Sequence, residues 1–204
     1  MKEKNTRLEQ QMSFIKEIDG LKKIGRQTYL KDASRKENDA EHSWHLAMMA
    51  LILQEYANKE IDVLRVITMV LFHDVVELDA GDTYAYDEAG NASKRERELA
   101  AAERIFHLLP EDQAVYFRNI WDEFEERQTI EAQFAHTLDN IQPMMLNDAS
   151  GAKAWKEHHV RLSQILKRNE QTAEGSQEIW NYAKEAFIRP NLENASIEKD
   201  TDLF

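Results

Sequence analysis

An all-α, compact single-domain helical bundle is the fold this sequence predicts, on three observations. Only six glycines and three prolines interrupt 204 residues. Apolar residues recur at helical spacing along nearly the whole chain. No run alternates strictly enough between apolar and polar residues to mark a strand. Taken in order, Leu8, Met12, Ile15 and Leu21 mark a first helix closing near Gly25. His42, Leu46, Met49 and Leu53 stripe a second, entered through Asn38 or Asp39 as cap. Asp62 caps a third, whose apolar run ends in His73-Asp74. Leu99, Ala102, Phe106 and Leu109 give a fourth, stopped by Pro110, and Pro110-Glu111 opens a fifth that runs through Trp121 towards Glu126. Ile130, Phe134, Leu138, Ile141 and Met145 make a sixth, with Asp139 beside the stripe. Trp155, His159, Leu162 and Leu166 make a seventh; Trp180, Ala183 and Phe187 make a short eighth before Pro190. Turn-forming residues place loops at 31–36, 79–93, 147–151 and 171–176. Residues 1–190 are thus expected to form the domain, and the polar, acidic residues 191–204 a flexible tail.

Composition narrows the chemistry. With no cysteine, the chain has neither disulfides nor thiolate metal sites. Residues 1–11 are charged and polar, unlike a signal peptide, and the longest apolar run, 66–72, is too short to cross a bilayer. A cytoplasmic protein with no membrane partner is expected. The net charge of −12 disfavours nucleic-acid polymers as partners. An anionic substrate would need a local cationic pocket, made from a metal and a few arginines.

His73-Asp74 points to such a pocket. A histidine and two carboxylates, Asp74 and Glu77, stand at the end of an apolar helix, where burial would penalise them without compensation. His42 upstream and Asp139 downstream complete a set of two imidazoles and two carboxylates. That mixed N/O set suits a divalent transition metal and can leave positions open for water and substrate. Glu77, four residues past His73, has the spacing to accept a proton from water whose pKa a metal lowers. Asp82 follows Gly81, which lets the chain turn back towards the metal. Arg26 and Arg35 lie shortly before His42, and their guanidinium forks suit phosphate oxygens. His45 and His136 each lie one turn from a proposed ligand and are candidates for supporting it.

The order H…HD…D, with the blocks Glu37-Asn38-Asp39-Ala40-Glu41-His42-Ser43-Trp44-His45 and His73-Asp74-Val75-Val76-Glu77-Leu78-Asp79-Ala80-Gly81-Asp82, resembles the HD-domain metal-dependent phosphohydrolases. Within that superfamily it is most similar to a small bacterial branch related to the 5′-deoxynucleotidases, over roughly residues 10–190. The resemblance implies an HD-domain bundle with His42, His73, Asp74 and Asp139 on one divalent ion (Mn, Co, Fe, Ni, Zn or Mg). It implies catalytic roles for Glu77 and Asp82, and phosphate binding by Arg26 and Arg35. The expected reaction is removal of the 5′-phosphate from (deoxy)nucleoside monophosphates by a metal-activated water. The alternatives are a non-catalytic metal- or nucleotide-binding HD module, or hydrolysis of another small phosphate ester. Arg26-Gln27 departs from the Arg-Trp of the deoxynucleotidases, which bears on base or sugar discrimination. Relatives that pair through helices, with four tryptophans and Met-rich stretches here, imply a homodimer.

Overall fold

The computed structural model describes residues 6–81 and 94–202, and among these helices dominate. Helix α1 (Arg7–Ile18) opens with a capping box between Thr6 and Glu9 and tightens into a 3₁₀ turn, Asp19–Lys23. Strands β1 (Gly25–Tyr29) and β2 (Lys36–Asn38) then pair antiparallel, where no strand was expected. The pair left no trace in the alternation because β2 has three residues and its buried one is the charged Glu37. Asn38 leaves this hairpin as the cap of α2 (Asp39–Leu53): its Oδ1 accepts the Glu41 N–H at 3.0 Å, and Glu41 Oε2 accepts the Asn38 N–H at 3.1 Å.

Asp62 caps α3 (Val63–Phe72), and a short turn leads to α4 (Glu77–Ala80). Helices α5 (Lys94–Phe106), α6 (Glu111–Glu126) and α7 (Ile130–Ala149) follow. The expected seventh helix is two: α8 (Lys153–Glu157) and α9 (Leu162–Arg168). The break falls at His159, whose φ of 50° no helix tolerates. The expected eighth begins as α10 (Gln177–Ala183), passes through a π turn at Lys184–Ile188, and continues as α11 (Arg189–Glu193). Pro190 does not stop this helix but stands in α11, directly after the π turn.

Of the tail expected at 191–204, residues 191–202 are described, and they pack against the domain. Asn191, Ser196 and Ile197 are buried, and Glu198 exchanges backbone hydrogen bonds with Val160 (3.0 Å) and Leu162 (2.9 Å). Ser163 binds Asp200 through both its N–H and its hydroxyl. One buried isoleucine and a few backbone bonds are enough to dock a segment whose composition reads as polar. Among the described residues no helix is long and apolar enough to cross a membrane.

Helix α7 is the axis of the packing, in contact with α2, α3, α6 and α10. Leu46, Met69, Phe134 and Leu138 lock these helices together in one apolar cluster. Pro143 lies inside α7 and has no N–H to offer the carbonyl four residues back, so the helix loses a rung at Asp139. Behind the same stretch, Gly175 presses its backbone against α7. A Cβ there would overlap the Gln133 carbonyl oxygen and the Thr137 hydroxyl. Gly175→Ala is therefore expected to destabilise the fold by about 1–3 kcal/mol. For a chain of this size that lowers Tm by roughly 2–4 °C per kcal/mol. An unchanged Tm would mean that the 172–174 turn can move off α7 freely.

Candidate metal centre

Three separate helices deliver four side chains to one point. His42 comes from the first turn of α2, His73-Asp74 from the C-terminal end of α3, and Asp139 from the middle of α7. His42 Nε2 lies 3.0 Å from Asp139 Oδ1 and 4.0 Å from Asp74 Oδ2. His73 Nε2 lies 3.1 Å from Asp74 Oδ2 and 3.7 Å from Asp139 Oδ1. All four residues are buried. His73 Nε2 has no hydrogen-bond partner despite these close oxygens, so a buried nitrogen is left aimed into a nest of carboxylates. Such an orphan is costly unless something occupies the nest, and two imidazoles with two carboxylates fit a divalent cation.

Each imidazole is turned to present Nε2. His73 donates from Nδ1 to the Val70 carbonyl at 2.9 Å, satisfying an end-of-helix acceptor of α3, and Trp121 Nε1 holds the His73 carbonyl at 3.1 Å. His42 Nδ1 meets Gln142 Oε1 at 3.0 Å, while Gln142 Nε2 donates to Glu37 Oε2 at 2.9 Å. The glutamate fixes which way the amide faces, and the amide oxygen in turn fixes the proton on His42 Nδ1. Gln142→Leu should therefore weaken metal binding by about 10–100-fold. Titration calorimetry with Mn²⁺ checks this; wild-type affinity would show that packing alone orients His42.

The electrostatics ask for positive charge. Burial pushes Asp74 up, but His73 and Arg26 outweigh it and hold the carboxylate well below its usual range. Asp139 is likewise held down, against burial, by the hydrogen bond from His42 and by the nearby His73 charge. Burial pulls His73 down, yet Asp74 and Asp139 lift it to about 10. Burial and Arg26 push His42 to about 4. In the metal-free protein a proton on His73 thus does the neutralising that a cation would do.

A pH dependence follows for the metal-free protein. His73 binds its proton more tightly folded than unfolded, so its contribution is full below about pH 6.5 and is lost as pH rises towards 10. His42 behaves oppositely: its contribution is full above about 6.5 and is lost as pH falls towards 4. These two groups therefore favour a stability maximum near pH 6.5 in EDTA, and metal should extend stability to higher pH by replacing the His73 proton. Thermal melts across pH with and without metal test this. A metal-free Tm that climbs from pH 7 to 9 would contradict it.

Glu77 opens α4, is buried, and shares a tight group with Asp39 and Asp74 whose oxygens lie within 4.8 Å of one another. Asp82 lies outside the described residues. The structure separates the two expected phosphate-binding arginines. Arg26 reaches the centre, but its Nη1 is 2.7 Å from Asp74 Oδ2 and 3.5 Å from Asp39 Oδ1. Arg35 does not reach it. It is exposed on the hairpin side and holds Glu41 bidentately at 2.5 and 2.8 Å, away from the residues that line the cavity. Sequence proximity to His42 brought Arg35 forward, and the capping glutamate six residues on takes its fork. His45 Nδ1 approaches Gln142 Nε2 at 3.3 Å, on the side of Gln142 that supports His42. His136 stacks on Phe124 and bonds its carbonyl at 2.7 Å; burial and Arg127 push it down to about 3, so it stays neutral.

The centre opens into a cavity of about 500 Å³. Arg26, Lys94, Arg95, Arg127 and Arg168 bring positive charge to its wall, and Pro143, Met144, Ala154 and Trp155 bring apolar surface. Sequence reading missed Gln142, Arg127 and Arg168. Gln142 had a signal, a polar residue between Ile141 and Pro143 and three past Asp139. The arginines had none, since each stands at a helix end where arginine is ordinary.

Comparison with known proteins agrees with this geometry. The HD domain family matches residues 18–180. Human 5′-deoxynucleotidase HDDC2 is 27% identical over 190 residues, covering 85% of this chain and 90% of its own. The Xenopus laevis protein of the same name is 26% identical over 171 residues, covering 76% and 83%. A crystal structure of a predicted metal-dependent phosphohydrolase from Magnetospirillum magnetotacticum MS-1 superposes with a TM-score of 0.89. It is 46% identical and covers 94% of this chain and 96% of its own. With the His-Asp pair buried at residues 73–74 and the match running through most of the chain, this protein belongs to the HD domain family.

Proposed function

We propose that this protein is a metal-dependent phosphohydrolase that removes the 5′-phosphate from deoxynucleoside monophosphates. One observation supports the reading: buried His42, His73 and Asp139 form one group and Asp74 and Glu77 a second beside it, with Asp74 Oδ2 3.1 Å from His73 Nε2, at a cavity of about 500 Å³. A space of that size suits a nucleotide-sized ligand. The human and frog 5′-deoxynucleotidases support the substrate class. His42, His73, Asp74 and Asp139 would hold the cation. When bound, it supplies Lewis acidity, lowering the pKa of water and drawing charge from a phosphate oxygen. Manganese, cobalt, iron, nickel, zinc and magnesium all accept such donors.

The remaining work falls to side chains. Glu77, buried with its carboxyl oxygens within 4.8 Å of those of Asp74, would take the proton of the attacking water. Arg26 steadies Asp74 through the 2.7 Å contact. The nucleoside lies against Pro143, Met144, Ala154 and Trp155, which offer shape and no fixed hydrogen-bond pattern for one base. The test is phosphate release from a panel of ribo- and deoxynucleoside monophosphates with Mn²⁺, Co²⁺ or Mg²⁺, against an EDTA control. Release confined to the metal-containing deoxynucleotide samples is expected. Metal binding without release from any of them would leave a binding module.

We further propose that the protein works as a homodimer. Helix α2 is apolar on both faces: Leu46 and Ala50 are fully buried, while Trp44, Met48, Leu51 and Ile52 are exposed. Leu64 and Leu71 of α3, the helix packed against α2, are exposed as well. Apolar surface of this extent is the usual mark of an interface, and a second copy covers it most simply. Light scattering at micromolar concentration should return twice the 23.9 kDa chain mass. A monomer mass would overturn the pairing.

A further inference from the structure

Carboxylates outnumber bases in this chain, 38 to 26, and arginines accordingly find partners. Arg65, Arg104, Arg118 and Arg189 each grip a carboxylate in an ion pair. On the cavity wall, Arg26 holds Asp74, Lys94 holds Glu98 at 3.3 Å, and Arg95 holds Glu125 at 3.0 Å. Two cations on that wall are different. Arg127 has no carboxylate within 4.0 Å among the described residues; its polar side-chain contact is Gln171 Oε1, at 3.5 Å. Among the described residues, the carboxylate nearest Arg168 is Asp139, whose Oδ2 lies 3.8 Å from Nη2, too far for a hydrogen bond.

Their setting adds to the oddity. Arg127 ends α6 in the left-handed region, with φ 55° and ψ 24°. Glycine is the residue that position favours, because a Cβ crowds the backbone there. The chain places an arginine at a backbone site suited to glycine and leaves its charge without an ion partner. Burial and the neighbouring Arg168 charge both pull Arg127 below its ordinary value, by more than the charges of Asp139, Glu125 and Glu174 lift it. Asp139 ties this pair to the metal centre: Oδ1 faces His42 and His73, and Oδ2 faces Arg168.

We propose that Arg127 and Arg168 form a two-arginine seat for the dianionic phosphate group of a phosphomonoester, on the Asp139 side of the centre. This rests on the phosphohydrolase reading and replaces Arg35 in the role that sequence proximity suggested. A phosphate there gives both guanidinium groups the oxygens they lack, with fork geometry that matches. Because the seat is built into the cavity wall, it captures an anion despite the overall charge of −12.

The test compares wild type with Arg127→Gly and Arg168→Gln by calorimetry with inorganic phosphate, Mg²⁺ titration, thermal melts, and kinetics on dAMP. Each variant should weaken phosphate binding and kcat/KM by about 10–100-fold, with KM rising more than kcat falls. Magnesium should bind each as tightly as wild type or more tightly, since a competing cation has gone. Arg127→Gly should keep or raise Tm, which a purely structural arginine would not do. Arg168→Lys should restore part of the loss, as a point charge without the fork. Wild-type phosphate affinity and kcat/KM in both variants would overturn the seat. Hydrolysis of dAMP unaffected by either change would sink the seat and leave the phosphohydrolase reading standing. Arginine-dependent phosphate binding without hydrolysis of any monophosphate would do the reverse.

Discussion

Asp139→Asn is expected to strip the protein of its divalent cation while leaving the fold in place. Asparagine keeps the size and planar shape of the side chain, so the packing of α7 against α2 and α3 has no reason to change. The charge is what goes. Asp139 Oδ1 is 3.0 Å from His42 Nε2 and 3.7 Å from His73 Nε2, so it fronts any ion that both histidines can reach. Without it, one carboxylate remains in the proposed ligand set, and Arg26 is already 2.7 Å from that one. Arg168, 3.8 Å from Asp139 Oδ2, then loses the charge of that carboxylate and adds net positive charge beside the site. Removing one unit of charge about 4 Å from an ion, at an effective dielectric near 20, forfeits roughly 4 kcal/mol for each unit of ion charge. Metal affinity should drop by at least about a thousandfold. Metal content after dialysis, together with calorimetry, reads the effect, and circular dichroism checks the fold. Stoichiometric metal held at wild-type affinity would remove Asp139 from the ligand set and weaken the whole centre.

What could be read from the chain and what could not divide along the range of the interactions. Helix starts are local chemistry, so Asn38 with Glu41 three residues on, Asp62, and Pro110-Glu111 were legible as caps or first turns. The metal-site candidates were legible because three short blocks carry them, each within one helical stretch. Long-range outcomes were not. The hairpin depends on Lys36–Asn38 pairing with a strand seven residues back, and its inward residue is a glutamate held by Gln142 from α7. The docked C-terminus depends on Ile197 and on backbone bonds to 160–162. The split at His159 reflects a left-handed residue within an otherwise helical pattern. Arg35 and Arg168 show the contrast most directly. The first is close to His42 in sequence and is taken up by Glu41; the second is 29 positions past Asp139 and arrives beside it through folding.

Glu77→Gln should separate chemistry from binding. The glutamate is 4% exposed and opens α4 a few residues beyond the ligand pair, within a group of buried carboxyl oxygens that includes Asp74. Glutamine fills the same space and can still donate and accept hydrogen bonds, so α4 and its neighbours should pack as before. What glutamine cannot do is take a proton from water. Loss of a positioned general base costs about 10²–10⁴-fold, so kcat on a deoxynucleoside monophosphate should fall by that factor. KM and Mg²⁺ affinity should stay near wild type, because neither the proposed phosphate seat nor the proposed ligand set includes Glu77. Glu77→Asp should recover part of the rate, since the carboxylate returns one methylene short of its place. The measurement that decides is single-turnover hydrolysis at saturating metal, which removes product release from the rate. A variant that retains wild-type single-turnover rates would make Glu77 a structural carboxylate, and the proton acceptor would have to be sought at Asp82. A variant that loses metal along with rate would instead place Glu77 among the groups that hold the ion.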